Sequence, residues 1–287
     1  MKKKFTLLVI LLSIYSFAQV GIGTTSPDAS AIIDVTSSSQ GFLPPRMTTV
    51  QRTSITSPAQ GLTIYNTDLK CLEVFNGVRW LNSASLSSTD VYSPTTGQIW
   101  MDRNLGATRV ATSMNDFNAY GSLFQWGRRA DGHELINWTS ATAGTAVNSG
   151  VNTTRNDSPG NTFIRTSVVP FDWRVNSNSN LWQGASGTNN PCPVGYRIPT
   201  VAEWSDESAS WTSQNAEGGF ASLLKLCVTG IRNSSTGSIT TDGTNSFYWT
   251  SLALPNQQSK AYKLSSVGIA NETVNRSMGY AVRCIKN

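Results

Sequence analysis

Apolar residues arrive along this chain in short bursts rather than long runs, and the grouping of those bursts predicts its layout. The first burst is the longest, Phe5 to Phe17, and it follows Lys2, Lys3 and Lys4. From Gln19 to about Trp80 the bursts shrink to alternations such as "AIIDV" and "LTIYN", separated by "GIGTTSPDAS" and "GFLPPRM". Period-two patterns bounded by Gly, Pro and Ser predict short strands and turns, with little material for a core of their own. Leu81 to Val91, "LNSASLSSTDV", holds no aromatic residue and reads as a linker. The expected layout is therefore a leader over 1–18, a β-rich stalk or oligomerisation segment over 19–85, and a second domain over 90–287.

In that second domain the pattern changes, because Trp100, Trp126, Trp138, Trp173, Trp182, Trp204, Trp211 and Trp249 all fall there. Large rings among few strong helix formers predict a loop-rich core buried by aromatics. "GQIWMDRNLG" reads as a strand ending in a turn, and 137–190 reads as long loops. Pro199, Thr200 and Glu203 spell a helix start, since the Thr200 hydroxyl can cap the first turn while Glu203 reaches back to the Thr200 amide. Helices are predicted from Val201 to about Trp211 and from Glu217 to Leu226. The chain closes in a strand meander, "SFYWTSLAL", "SKAYKLSS" and "GYAVRCIK", with "VGIANETVNRSM" as a connecting loop. The class expected is α+β with strands predominant.

Composition changes this picture in three ways. The basic start, the apolar run and the small residues Ser16 and Ala18 make 1–18 a secretory leader, so the chain is expected to be exported, at the outer-membrane surface or outside the cell, with the periplasm as the alternative. The run is too short to span a bilayer as a helix, and no transmembrane segment is expected. Without the leader the formal charge is close to balanced and no basic stripe stands out, so no nucleic-acid partner is expected. Four cysteines in an exported chain suggest disulfides, with three full pairings open.

Six ordered motifs, "GQIWMDRNLGA", "YGSLFQWGR", "ADGHE", "NNPCPVGYRIPTVAEW", "FYWTS" and "GYAVRCIK", resemble the Fibrobacter succinogenes major paralogous domain from about Val91 to Lys286. That family is related to the C-type lectin-like fold and to formylglycine-generating enzymes. The resemblance implies an α+β lectin-like domain, with a twisted antiparallel sheet, two helices and long loops, behind a short β-rich stalk. It also implies a Cys192–Cys284 bridge, leaving Cys71 and Cys227 unpaired with each other. "VGIGTTSPDASAIIDV", "GFLPPRMTTVQRTSI" and "GLTIYNTDLKCLEVFNGVRW" are similar to a stalk segment of exported Bacteroidetes proteins whose opening resembles trimeric phage-tail-like fibres, which implies a homotrimer.

Catalytic chemistry finds little footing. His133 is the single histidine, with no partner cluster, and no "GxSxG", "HExxH" or paired-cysteine metal spacing occurs. The cysteine pair of the formylglycine-generating enzymes is missing where this chain reads "FYWTSLALPNQQ". Asp102 with Arg103, and Arg197 with Glu203, read as internal salt bridges and caps. No enzyme activity, cofactor or metal is expected. Binding is the remaining expectation: Tyr248, Asn256, Gln257, Asn271, Asn275 and Arg276 on the C-terminal loops offer a ring, amides and a cation to a glycan or cell-surface protein. The alternative is a structural fibre or surface-layer component with no discrete ligand.

Overall fold

The computed structural model describes residues 19–287 except 76, 78, 79, 83–88, 167, 170, 185, 241 and 242. The expected leader, 1–18, and the middle of the expected linker lie outside the described residues. The chain divides into two compact units, with the division between Ala84 and Ser85.

The front unit holds a parallel pair, Val20–Ile22 with Ile33–Val35, and a four-stranded sheet. In that sheet Arg46–Met47 runs parallel to Thr63–Asn66, and Cys71–Phe75 and Trp80–Asn82 follow antiparallel. A helix of five residues, Thr49–Thr53, starts on a capping box between Thr48 and Gln51. Behind it the Arg52 guanidinium meets the Glu73 carboxylate at 2.6 Å, and Asn66 Nδ2 donates to the other Glu73 oxygen at 2.7 Å. This polar knot and Ile64 form the interior, since a buried carboxylate is tolerable only when paired and hydrogen-bonded.

In the second unit the chain returns on itself several times. Ile285–Lys286 lies between Tyr196–Arg197 and Ile99–Met101, with Asp90–Tyr92 on the outside. A second four-stranded sheet joins Ile239–Thr240, Ile231–Arg232, Gly279–Tyr280 and Phe124–Gln125. The longest strands make an antiparallel meander, Asn245–Ala253, Gln258–Ser265 and Gly268–Asn275. The bridge between Cys192 and Cys284 is present, with Cα atoms 5.9 Å apart across 92 residues of sequence. Cys71 and Cys227 are free.

The capping box expected at Thr200 is formed: its hydroxyl accepts from the Glu203 amide at 3.2 Å while Glu203 accepts the Thr200 amide at 2.8 Å. The helix it starts, Val201–Ala209, buries Trp204, whose ring lies 4.9 Å from Trp100 and stacks 5.1 Å from Tyr262. Such ring pairs contribute about 0.5–1.5 kcal/mol each beyond their buried area. The next helix, Ala216–Ala221, is shorter than expected because Gly218 and Gly219 weaken it and Ser222 turns to extended backbone.

The α+β lectin-like expectation is overturned. Among the described residues strand well outnumbers helix, the strands gather into seven small sheets of two to four strands, and the three α-helices have five, nine and six residues. Among these residues no broad twisted sheet organises the second unit. The physical reason lies in who satisfies its backbone. Indole N–H groups bond backbone carbonyls of loops and of irregular strands: Trp126 to Thr250, Trp173 to Trp126, Trp182 to Asn189 and Trp249 to Phe124, at 2.6–3.0 Å. Four buried arginines, Arg128, Arg232, Arg276 and Arg283, do the same with guanidinium donors. Every buried carbonyl needs a donor, and here side chains supply many of those a larger sheet would otherwise provide.

Candidate functional site

The C-terminal residues expected to bind a ligand are spread over several environments. Tyr248 lies inside the core: its hydroxyl donates to the Cys227 carbonyl at 2.7 Å and accepts the Cys227 amide at 3.2 Å. Burial pushes its phenol pKa well up, and Cys227 beside it is pushed up to about 12 for the same reason, which keeps that thiol inert. Trp249 is buried as well, so the strand Asn245–Ala253 shows neither ring to solvent.

Arg276 is also buried, and it works as a clamp. Its guanidinium pairs with Asp172 at 3.3 Å, bonds Ser177 and Ser179, and donates to the carbonyls of Leu254 and Gln258. Its plane lies 4.5 Å from the Trp126 ring. The carbonyls it holds flank the turn in which Asn256 and Gln257 take positive φ, 62° and 65°, a conformation that non-glycine residues keep only when their surroundings enforce it. Asn256 is exposed on that turn and Asn271 is exposed on the strand Gly268–Asn275. Asn275 pairs with Gln258 and lies four residues from Asn271, a separation of about 13 Å along a strand. Tyr248 and Arg276 are thus withdrawn from any surface site, and the exposed amides stand apart from each other.

His133 also takes a structural place. Its Nδ1 lies 2.6 Å from an Asp131 oxygen and 3.2 Å from Glu134, while Nε2 accepts the Gln125 amide at 3.0 Å. That pattern assigns the proton to Nδ1 and occupies both ring nitrogens. Asp131, His133 and Glu134 have the atom types of a metal cluster, and in it both ring nitrogens of His133 are engaged, Nδ1 by the carboxylates and Nε2 by the Gln125 amide. Burial opposes the Asp131 carboxylate; the hydrogen bond from His133 and the charge and hydrogen bonds of Arg128 outweigh it and hold its pKa below the ordinary value. Beside this knot lies a polar cleft of about 390 Å³ lined by Arg129, Asp157, Trp173 and Arg174 among others. Arg128 and Arg174 flank the Trp173 ring at 5.4 and 5.2 Å, and Arg174 is paired with Asp157. Arg128 is paired with Asp131, so of the arginines lining the cleft only Arg129 has no ion pair among the described residues.

The front unit has the opposite property, with apolar side chains left uncovered. Ile32, Phe42, Leu43 and Val50 are each more than 70% exposed. All three residues of Val20–Ile22 are exposed, and the helix Thr49–Thr53 buries no residue at all. A helix and a strand pair that bury no apolar side chain gain little hydrophobic stabilisation inside one chain. Exposed apolar side chains gathered into one patch can serve as an association face. The signal was present in the sequence: "AII" and "GFL" set apolar residues side by side where a strand with one buried face would alternate.

Comparison with known proteins bears on the same segment. Residues 21–98 match the family model described as the phage tail like trimerisation region. Neither the curated proteins nor the solved structures return a match. The chain is therefore similar, over its front part, to a trimerisation region of the phage-tail type, as a tail-fibre-like stalk would be.

Proposed function

We propose that this protein is a structural, fibre-like component, exported and non-enzymatic, whose front unit assembles three copies into a homotrimer. The observation that carries the reading is the similarity of residues 21–98 to a trimerisation region, within which Ile32, Phe42, Leu43 and Val50 are exposed in the single chain. Three copies about a common axis would bury Ile32, Phe42, Leu43 and Val50 against one another, which closed cyclic symmetry permits with one repeated patch. The second unit then serves as a rigid head. Its Cys192–Cys284 bridge suits an oxidising compartment, in keeping with export by the leader to the cell surface or beyond. The paralogous-domain resemblance of the second unit belongs to this reading as well, without the lectin-like fold. A glycan or protein ligand on the C-terminal loops is the weaker alternative, because its ring and its cation are in the core.

The test is light scattering of the chain from Gln19 onward beside an Ile32→Asp, Phe42→Asp double variant. The expected result is three chain masses for the parent and one for the variant, with the second unit still folded by near-ultraviolet circular dichroism. A monomeric parent would remove the reading.

A further inference from the structure

Glu207, on the buried face of the helix Val201–Ala209, is only 2% exposed. Its Oε2 accepts a bond from the Thr96 hydroxyl at 3.3 Å. Its Oε1 accepts none among the described residues, and it is not one of the buried polar atoms sealed from solvent. Glu207 lines a cavity of about 250 Å³ whose wall includes Ser93, Pro94, Ser210, Trp211 and Leu223. Among the described residues no lysine or arginine lines it.

A buried carboxylate with a weak partner on one oxygen and none on the other is costly, and the cost falls when a donor of opposite charge arrives. The neighbouring charges do not provide one. Glu203 is neutralised by Arg197 at 2.8 Å, while Asp206, exposed in the adjoining groove, adds negative charge without a basic partner among the described residues. We propose that this cavity receives a primary ammonium carried on an alkyl chain, with the N–H groups on Glu207 Oε1 and the methylenes against Pro94, Trp211 and Leu223.

Three features select that chemistry. A guanidinium pairs best with both oxygens of a carboxylate, and here one is committed to Thr96. A divalent cation of the calcium or magnesium kind needs several oxygen ligands, and among the described residues Glu207 is the one carboxylate lining the cavity. A neutral hydroxyl would leave the charge uncompensated. The ammonium, a compact point donor on an apolar stem, meets the remaining oxygen and the apolar wall together. Its source is either a free alkylamine or a lysine side chain of another protein, and the two differ only in what lies beyond the methylenes.

Calorimetric titration of the chain from Gln19 onward at fixed ionic strength tests this. The probes are n-butylammonium chloride, n-butanol and Nα-acetyl-lysine methylamide. Saturable binding of n-butylammonium is expected, with n-butanol at least about tenfold weaker, as follows from removing a charge-assisted hydrogen bond. Glu207→Gln should weaken n-butylammonium by the same factor. Leu223→Trp, at a half-exposed position on the rim, should block the cavity while leaving the carboxylate in place, so the test does not depend on the Glu207 variant folding. Binding of the lysine derivative as well would assign a protein lysine as the source, and binding of n-butylammonium alone would assign a free amine. The inference is overturned if n-butylammonium does not saturate, if n-butanol binds equally, or if the Leu223→Trp protein binds as the parent does.

Discussion

Arg276 shows how much of this molecule hangs on single buried donors. It pairs with Asp172, whose carboxyl is itself pushed up by burial, and it ties together three loop segments by carbonyl and hydroxyl bonds. Arg276→Met should cost about 3–5 kcal/mol, because removing one partner leaves the other charge buried alone, and Asp172→Asn added to it should recover part of the loss. Chemical denaturation of the two variants measures both. Asp116 makes a pH-dependent contribution. Its carboxylate bonds Arg109 and the Thr112 amide and hydroxyl, and the pKa is lowered to about 2, with the Arg109 hydrogen bond as the largest cause. A carboxyl with a depressed folded pKa contributes stability that is present above its unfolded value near 4 and is lost as pH falls through the folded value. Stability should therefore decline between about pH 4 and pH 2, and Asp116→Asn should flatten that part of the profile in a pH series of thermal melts.

Among the elements, those written in local chemistry were legible and those decided by distant partners were not. The helix at Val201 could be read from Thr200 and Glu203, since a capping box closes within four residues. "VGIANETVNRSM" reads as a loop because Asn, Glu and Thr break up its apolar residues, yet Gly268–Asn275 forms the longest unbroken register among the described residues with Gln258–Ser265. An edge strand needs no apolar face to exist when its neighbour supplies the ladder, and its polar side chains point to water. Tyr248 fails in a different way. Adjacent residues on a strand face opposite sides, so alternation alone places one of them outside, but Asn245–Ala253 is covered on both faces by separate clusters. The Cys192–Cys284 bridge came from resemblance, not from spacing, and it ties the entry of the Val201–Ala209 helix to the segment before the last strand. Replacing both cysteines by serine should cost up to about 4–5 kcal/mol by the loop-entropy account, less where sheet pairing already holds the ends, as a shift in the denaturation midpoint with the slope retained.

At the scale of the whole molecule the two units solve opposite problems. The second is stapled from within by tryptophan and arginine donors and by a disulfide, and it can bury its aromatics in one chain. The front unit, with Ile64 as the one large apolar side chain in the buried core of its described residues, leaves Ile32, Phe42, Leu43 and Val50 exposed. Among the described residues no helix is long and apolar enough to cross a membrane. Two further copies of the same chain would cover those exposed side chains in a trimer. The most direct measurement is sedimentation equilibrium of the chain from Gln19 onward over a wide concentration range. A trimeric stalk predicts a single species of three chain masses that persists on dilution, and a species of one chain mass throughout would contradict it.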